Sequence, residues 1–125
     1  GFIGKANFLQ AVVDSVESEQ LVLQVLGKKI VAPRWNKEIK TGDEVLIVAR
    51  PESILPEHPN EELVEGVVVN SVYFGSQMLY EVELPDHTVL QIEVADPQYH
   101  PIFTQGHKVG LAFKDRSLHV LPMEK

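Results

Sequence analysis

Cysteine is absent from the 125 residues. That excludes a disulfide framework and any thiolate metal site, and it fits a reducing compartment. No apolar run approaches the roughly 20 residues needed to cross a bilayer as a helix. The start, Gly1-Phe2-Ile3-Gly4-Lys5, has no long apolar stretch of the signal-peptide kind and no initiator methionine. The expectation is a piece excised from a longer protein, or a tag remnant followed by one. Basic charge is scarce too. Eleven Lys and Arg face 18 Asp and Glu, a formal net charge of -7. Such a surface repels phosphate backbones, so nucleic acid is not an expected partner. Signatures of catalysis are missing as well: no nucleophile elbow, no zinc-protease helix, no Walker phosphate loop and no dinucleotide fingerprint. Catalytic residues, metal ligands and a bound cofactor are therefore not expected.

What the chain has is an apolar fraction of 44%, in the globular range. It also has one stretch written twice. Thr41 to Pro56 reads as a turn, a strand, a stop at Arg50-Pro51-Glu52 and a short apolar return. Gln105 to Pro122 repeats it, with Gly42 matching Gly106, Val45 matching Val109, Ile47 matching Leu111 and Arg50 matching Lys114. Leu55-Pro56 pairs with Leu121-Pro122 if two residues are inserted.

Between these copies the pattern is that of strands. Phe8–Val13, Leu21–Leu26, Ile30–Ala32 and Val45–Ala49 are β-branched and apolar. Leu63–Phe74 reads as a long strand, in which Gly66 predicts a bulge or bend. Tyr80, Val82 and Leu84 alternate with Glu81 and Glu83, and Leu90, Ile92 and Val94 alternate likewise. Gly75-Ser76-Gln77 and Pro85-Asp86-His87 supply hairpin turns. About ten short strands predict an all-β fold of two related, OB-fold-like barrel lobes packed together. The proline-punctuated joint Pro56–Glu62 divides them into 1–56 and 57–125.

Single residues are read conservatively. The five histidines sit mostly in turns and match no metal spacing. Asp96 and Asp115 are turn formers. Glu57, Glu61, Glu62 and Glu65 form a solvated acidic face; the alternative is a cation or basic-partner site. Trp35, the one tryptophan, is expected to plug the core or a contact between lobes; stacking on a base or sugar is the alternative. Tyr73, Phe74 and Tyr80 are expected in core or inter-lobe packing. Arg50 is expected to fix the lobe geometry through an ion pair or carbonyl contact, with Pro51 and Glu52 beside it; the alternative is that Pro51 does the structural work and the charges are solvated.

Four stretches together resemble a known family. They are Phe2–Leu9, Ile47–Glu52, Tyr73–Val82, and Val109–Phe113 with Leu118–Pro122. In order and spacing they are similar to the C-terminal regulatory (TOBE, transport-associated OB) region of ATP-binding subunits of ABC importers. The subgroup is that of polyamine, ferric iron and sugar importers. The resemblance implies a fragment that is not itself an enzyme, since ATP and Mg would bind a domain upstream of Gly1. It implies a homodimer, permease partners through the parent and a possible small-molecule effector. It places the parent in the cytoplasm, at the inner membrane through its transporter. Arg50, Pro51, Glu52, Gly75, Tyr80 and Trp35 are the structural or regulatory candidates. A small-ligand or oxyanion sensor is the alternative function, and an OB-type nucleic-acid binder ranks below both.

Overall fold

The computed structural model describes residues 5–123. They form ten strands and no α-helix. The strands are β1 (Asn7–Val16), β2 (Gln20–Val25), β3 (Lys28–Pro33), β4 (Glu44–Ala49), β5 (Ile54–Glu57), β6 (Val64–Phe74), β7 (Gln77–Glu83), β8 (Val89–Ala95), β9 (Lys108–Phe113) and β10 (His119–Pro122). Alternation in the sequence becomes alternation in burial. In β1, Asn7, Leu9, Ala11 and Val13 point inward, while Phe8, Gln10 and Val12 point out. In β8, Leu90, Ile92 and Val94 are inward, as the sequence pattern requires.

The strands make two five-stranded sheets of identical plan. One has the order β10-β4-β1-β2-β3, the other β5-β9-β6-β7-β8. Every pairing is antiparallel. In the first sheet the edge strands β10 and β3 approach each other; in the second, β5 and β8 do. Each sheet is thereby curled into a barrel-like lobe, which matches the expected all-β, OB-like class.

The two plans agree in register. Leu9 faces Ile47 in the first sheet, and Val64 faces Leu111 in the second. A bulge falls between Val13 and Ser15 in β1 and between Val68 and Asn70 in β6. Beside each bulge sits a left-handed glycine, Gly42 (φ 90) or Gly106 (φ 92). Its N–H donates to the Val13 carbonyl at 2.8 Å in one lobe and to the Val68 carbonyl at 2.8 Å in the other. The turn is closed by a side chain of different chemistry in each copy. Asp43 Oδ2 accepts from the Lys40 N–H, whereas His107 Nδ1 accepts from the Thr104 N–H, both at 2.9 Å.

The bulge expected at Gly66 is three residues further on, at Val69. Gly66 is needed for closeness instead. A Cβ there would run into Val82 Cγ1 and come within 3.3 Å of the Glu83 carbonyl. Val82 is fully buried and β-branched, so it cannot swing aside. Gly66→Ala should lower stability by about 1–3 kcal/mol, read as a fall in the urea midpoint at unchanged slope.

The repeated stretch has a structural meaning. β4, a 3-10 turn at Pro51–Ser53 and β5 carry the chain from the first sheet to the second. β9, a 3-10 turn at Asp115–Ser117 and β10 carry it back. The two crossings run antiparallel side by side: β10 pairs with β4, and β5 pairs with β9. One constant spacing relates Gly42 to Gly106, Arg50 to Lys114, Ser53 to Ser117 and Ile54 to Leu118. No insertion is needed, and Leu55-Pro56 is not the counterpart of Leu121-Pro122. Pro56 faces Leu111 as Val120 faces Ile47, so Pro56 and Val120 are equivalent.

Candidate functional site

The double crossing is where the two lobes are fastened. Ile54 and Leu118, the first residues after each 3-10 turn, are 1% and 0% exposed. The Ser53 N–H donates to the Arg50 carbonyl at 2.9 Å, and the Ser53 carbonyl accepts from the Lys114 N–H at 2.9 Å. Pro51 and Ser53 are buried; Arg50 and Glu52 are exposed. Among the described residues the Arg50 side chain makes no hydrogen bond or ion pair. The expected lock by Arg50 is therefore corrected: backbone bonds and the fixed φ of Pro51 hold the crossing. Arg50→Ala should leave the melting temperature within about 2 °C of wild type, as expected for a solvated charge.

A second fastening was not anticipated. Asn7 is 5% exposed and reaches the edge strand β8 of the other sheet. Its Nδ2 donates to the Gln91 carbonyl at 2.8 Å, and its Oδ1 accepts from the Gln91 N–H at 2.7 Å. The side-chain amide thus pairs with β8 as another strand would. The signal was in the sequence: Asn7 is a polar residue in phase with the inward Leu9, Ala11 and Val13.

Tyr80 is in the core at 1% exposure, and its Oη accepts from the Phe103 N–H at 3.2 Å. Gly75 (φ 62) turns the β6–β7 hairpin. Tyr73 and Phe74 correct the expectation of packing. They lie at the far end of β6, where only β7 is alongside, and are 62% and 59% exposed. Glu61, Glu62 and Glu65 are exposed and Glu57 half-buried, a solvated face as read. Among the described residues no three acidic or histidine side chains gather as metal ligands.

Trp35 is also corrected. It is 65% exposed, and Ile39, at 2%, takes the buried place in this loop. Ile39 stands three residues before Gly42, as the buried Phe103 stands three before Gly106. The indole instead lies on His119 of β10, with ring centroids 6.5 Å apart and planes 27° from parallel. It borders a groove of about 750 Å³ lined in part by Glu19, Val31, Arg34, Lys37 and Arg116. Arg34 is anchored, its Nη1 donating to the Glu17 carbonyl at 3.1 Å and its Nη2 to the Lys37 carbonyl at 3.3 Å. Lys37 Nζ donates to the Ser18 carbonyl at 2.9 Å. Arg34 Nε is buried without a partner among the described residues. Three cationic side chains, two acidic ones (Glu19, Asp115) and the flat face of Trp35 line this groove.

Comparison with known proteins matches residues 47–121 to the family described as the TOBE domain. The chain is 32% identical to the spermidine/putrescine import ATP-binding protein PotA of Ruegeria pomeroyi, over 96% of this chain and 32% of that protein. It is 33% identical to PotA of Thermotoga maritima, over 78% of this chain and 28% of that one. It is 26% identical to the Fe(3+) ions import ATP-binding protein FbpC of Brucella suis, over 96% and 32%. The chain thus spans about a third of the length of these curated relatives. Among solved structures, the cytoplasmic molybdate-binding protein ModG with molybdate bound has the same fold. Its TM-score is 0.72 at 13% identity, covering 97% of this chain and 99% of that one.

Proposed function

The chain belongs to the TOBE domain family, and from that premise we propose that it is the C-terminal regulatory and dimerisation region of an ABC importer's ATP-binding subunit. The observation that carries the reading is the alignment to PotA, which takes in 96% of this chain but a third of the relative. The family match is to the TOBE domain, not to a nucleotide-binding domain. In this reading ATP and Mg bind the remainder of the parent, whose permease partners place it at the cytoplasmic side of the inner membrane. The transported solute is a small one such as a polyamine, ferric iron or a sugar. The expected division into 1–56 and 57–125 is corrected by the strand exchange, since β5 belongs to the second sheet and β10 to the first. The two lobes, β1–β4 with β10 and β5–β9, act as one stiff body, because that exchange and the Asn7 bridge resist their separation. Such a body would keep two ATPase subunits paired through opening and closing by raising their effective concentration.

Self-association tests this. Sedimentation should show a dimer in the full-length subunit, weakened by Phe74→Ser at the exposed end of the β6–β7 hairpin. A strict monomer at high concentration contradicts the dimerisation part.

The groove at Trp35 favours a second reading, a small-ligand or oxyanion sensor. Its three cationic groups outnumber the carboxylates of Glu19 and Asp115, a small positive excess that favours an anion over a polyamine. Trp35 is the one tryptophan, so a titration with molybdate or sulfate can be followed by its fluorescence. A saturable change lost in Arg34→Gln supports the sensor; no change with either anion opposes it.

A further inference from the structure

The two lobes differ at one place where their shared plan would make them alike. In the second sheet β5 and β6 run on either side of β9, and residues 58–63 join them across its outer face. Gly110 of β9 lies beneath this connection. A Cβ there would come within 2.9 Å of Leu63 Cδ1 and 3.3 Å of the His58 carbonyl. In the first sheet the corresponding strands are β10 and β1, on either side of β4. They are the last and first strands among the described residues, and no described segment joins them. Leu46 stands where Gly110 stands, and nothing among the described residues crosses it.

The face around Leu46 is largely apolar, with Gln10, His119 and Glu44, the partner of Val12, as its polar members. Phe8, Val48 and His119 lie in one row across the three strands, and Gln10, Leu46 and Leu121 in the next. Phe8 is 55% exposed, Leu121 47% and Val12 44%. Trp35, resting on His119, widens the patch. A cluster of this kind on an otherwise acidic surface marks an interaction site.

We propose that this face is the docking surface for the ATP-binding domain that precedes the matched region in the relatives. The inference rests on the functional reading above. Two observations choose this occupant. The equivalent face of the second lobe is covered by the chain that leads into β6, and the chain that leads into β1 arrives beside the bare face at Asn7 and Phe8. The relatives are also about three times the length of this chain, so a whole domain is available there. The surface is more apolar than charged, with Glu44 the charged side chain in its three rows, which suits a permanent contact within one subunit better than a salt-sensitive encounter. Docking would fix the orientation of both lobes relative to the ATPase.

The test uses the absence of cysteine from this region. Leu121→Cys, and separately Val12→Cys, is made in the 125-residue chain and in the full-length subunit that carries it. Alkylation at that position is followed by peptide mass spectrometry. The expected result is a rate at least ten-fold lower in the full-length subunit at both positions, with Asp86→Cys on the exposed β7–β8 turn unchanged. Equal rates in the two proteins overturn the proposal. So does protection already present in the 125-residue chain that fades on dilution, since it identifies a second copy as the occupant. If the encoded protein has no ATP-binding domain, the functional reading fails along with the inference; if it has one and the rates are equal, only the inference fails.

Discussion

A chain ending at Lys114 should lose its first lobe, although the residues removed lie far from that lobe in sequence. β10 is the edge of the first sheet and pairs along β4 from Val48 to Val45. Its removal exposes the seats of Leu118 and Val120, which are 0% and 6% exposed. Two such side chains are worth about 3–6 kcal/mol of burial, against a total stability of about 5–15 kcal/mol for a domain. It also strips a row of hydrogen bonds from β4 and leaves β3 without the strand that closes its edge. The milder Leu118→Ala should cost about 2–5 kcal/mol, and Ile54→Ala, its equivalent on the other crossing, a similar amount. Chemical denaturation of the two point variants and circular dichroism of the truncated chain check this. A truncated chain with wild-type β content and an unchanged midpoint contradicts it.

The second large effect is expected at Asn7. Replacing it by Leu keeps the volume and removes both bonds to Gln91. The Gln91 N–H and carbonyl are then left facing an apolar side chain between the lobes, at about 1–3 kcal/mol each. A loss of about 2–5 kcal/mol is predicted, larger than the surface exposure of most neighbours of β1 would suggest. Hydrogen exchange separates this from a mere packing defect. The Gln91 amide should lose protection selectively, while those of Leu23 and Val82, in the middle of each sheet, keep the order of their rates. Unchanged protection at Gln91 would remove the bridge from the account.

Much of this was written in the sequence. Alternation placed the strands because each has one wet face and one dry face, and the period of two survives any arrangement of neighbours. The glycines of the repeat were legible because Gly42 and Gly106 hold a left-handed φ that other residues resist. The exchange of strands was not legible. Local pattern says that strands begin at Ile54 and just after Leu118, but not which sheet receives them, since both sheets offer the same kind of edge. Matching Leu55-Pro56 to Leu121-Pro122 by identity hid the true equivalence, because Pro56 and Val120 fill the same inward position with different side chains. Trp35, Tyr73 and Phe74 misled for the opposite reason. Large aromatics are usually buried, and these three are held out, by a loop that gives its inward place to Ile39 and by a hairpin longer than the sheet beneath it. Arg50 drew attention through its motif, whereas the work at that position belongs to backbone groups that every sequence carries.

The proposed regulatory role requires the two lobes to move as one. Equilibrium urea unfolding of the 125-residue chain, followed at once by Trp35 fluorescence and by the amide signal of Ile92 in the second lobe, tests that requirement most directly. Trp35 reports the first lobe, because it rests on His119 of β10; Ile92 is fully buried in β8. The account predicts coincident transitions with one midpoint and one slope, as for a two-state unit. Two separated transitions, with the first lobe lost while Ile92 keeps its native signal, would contradict it.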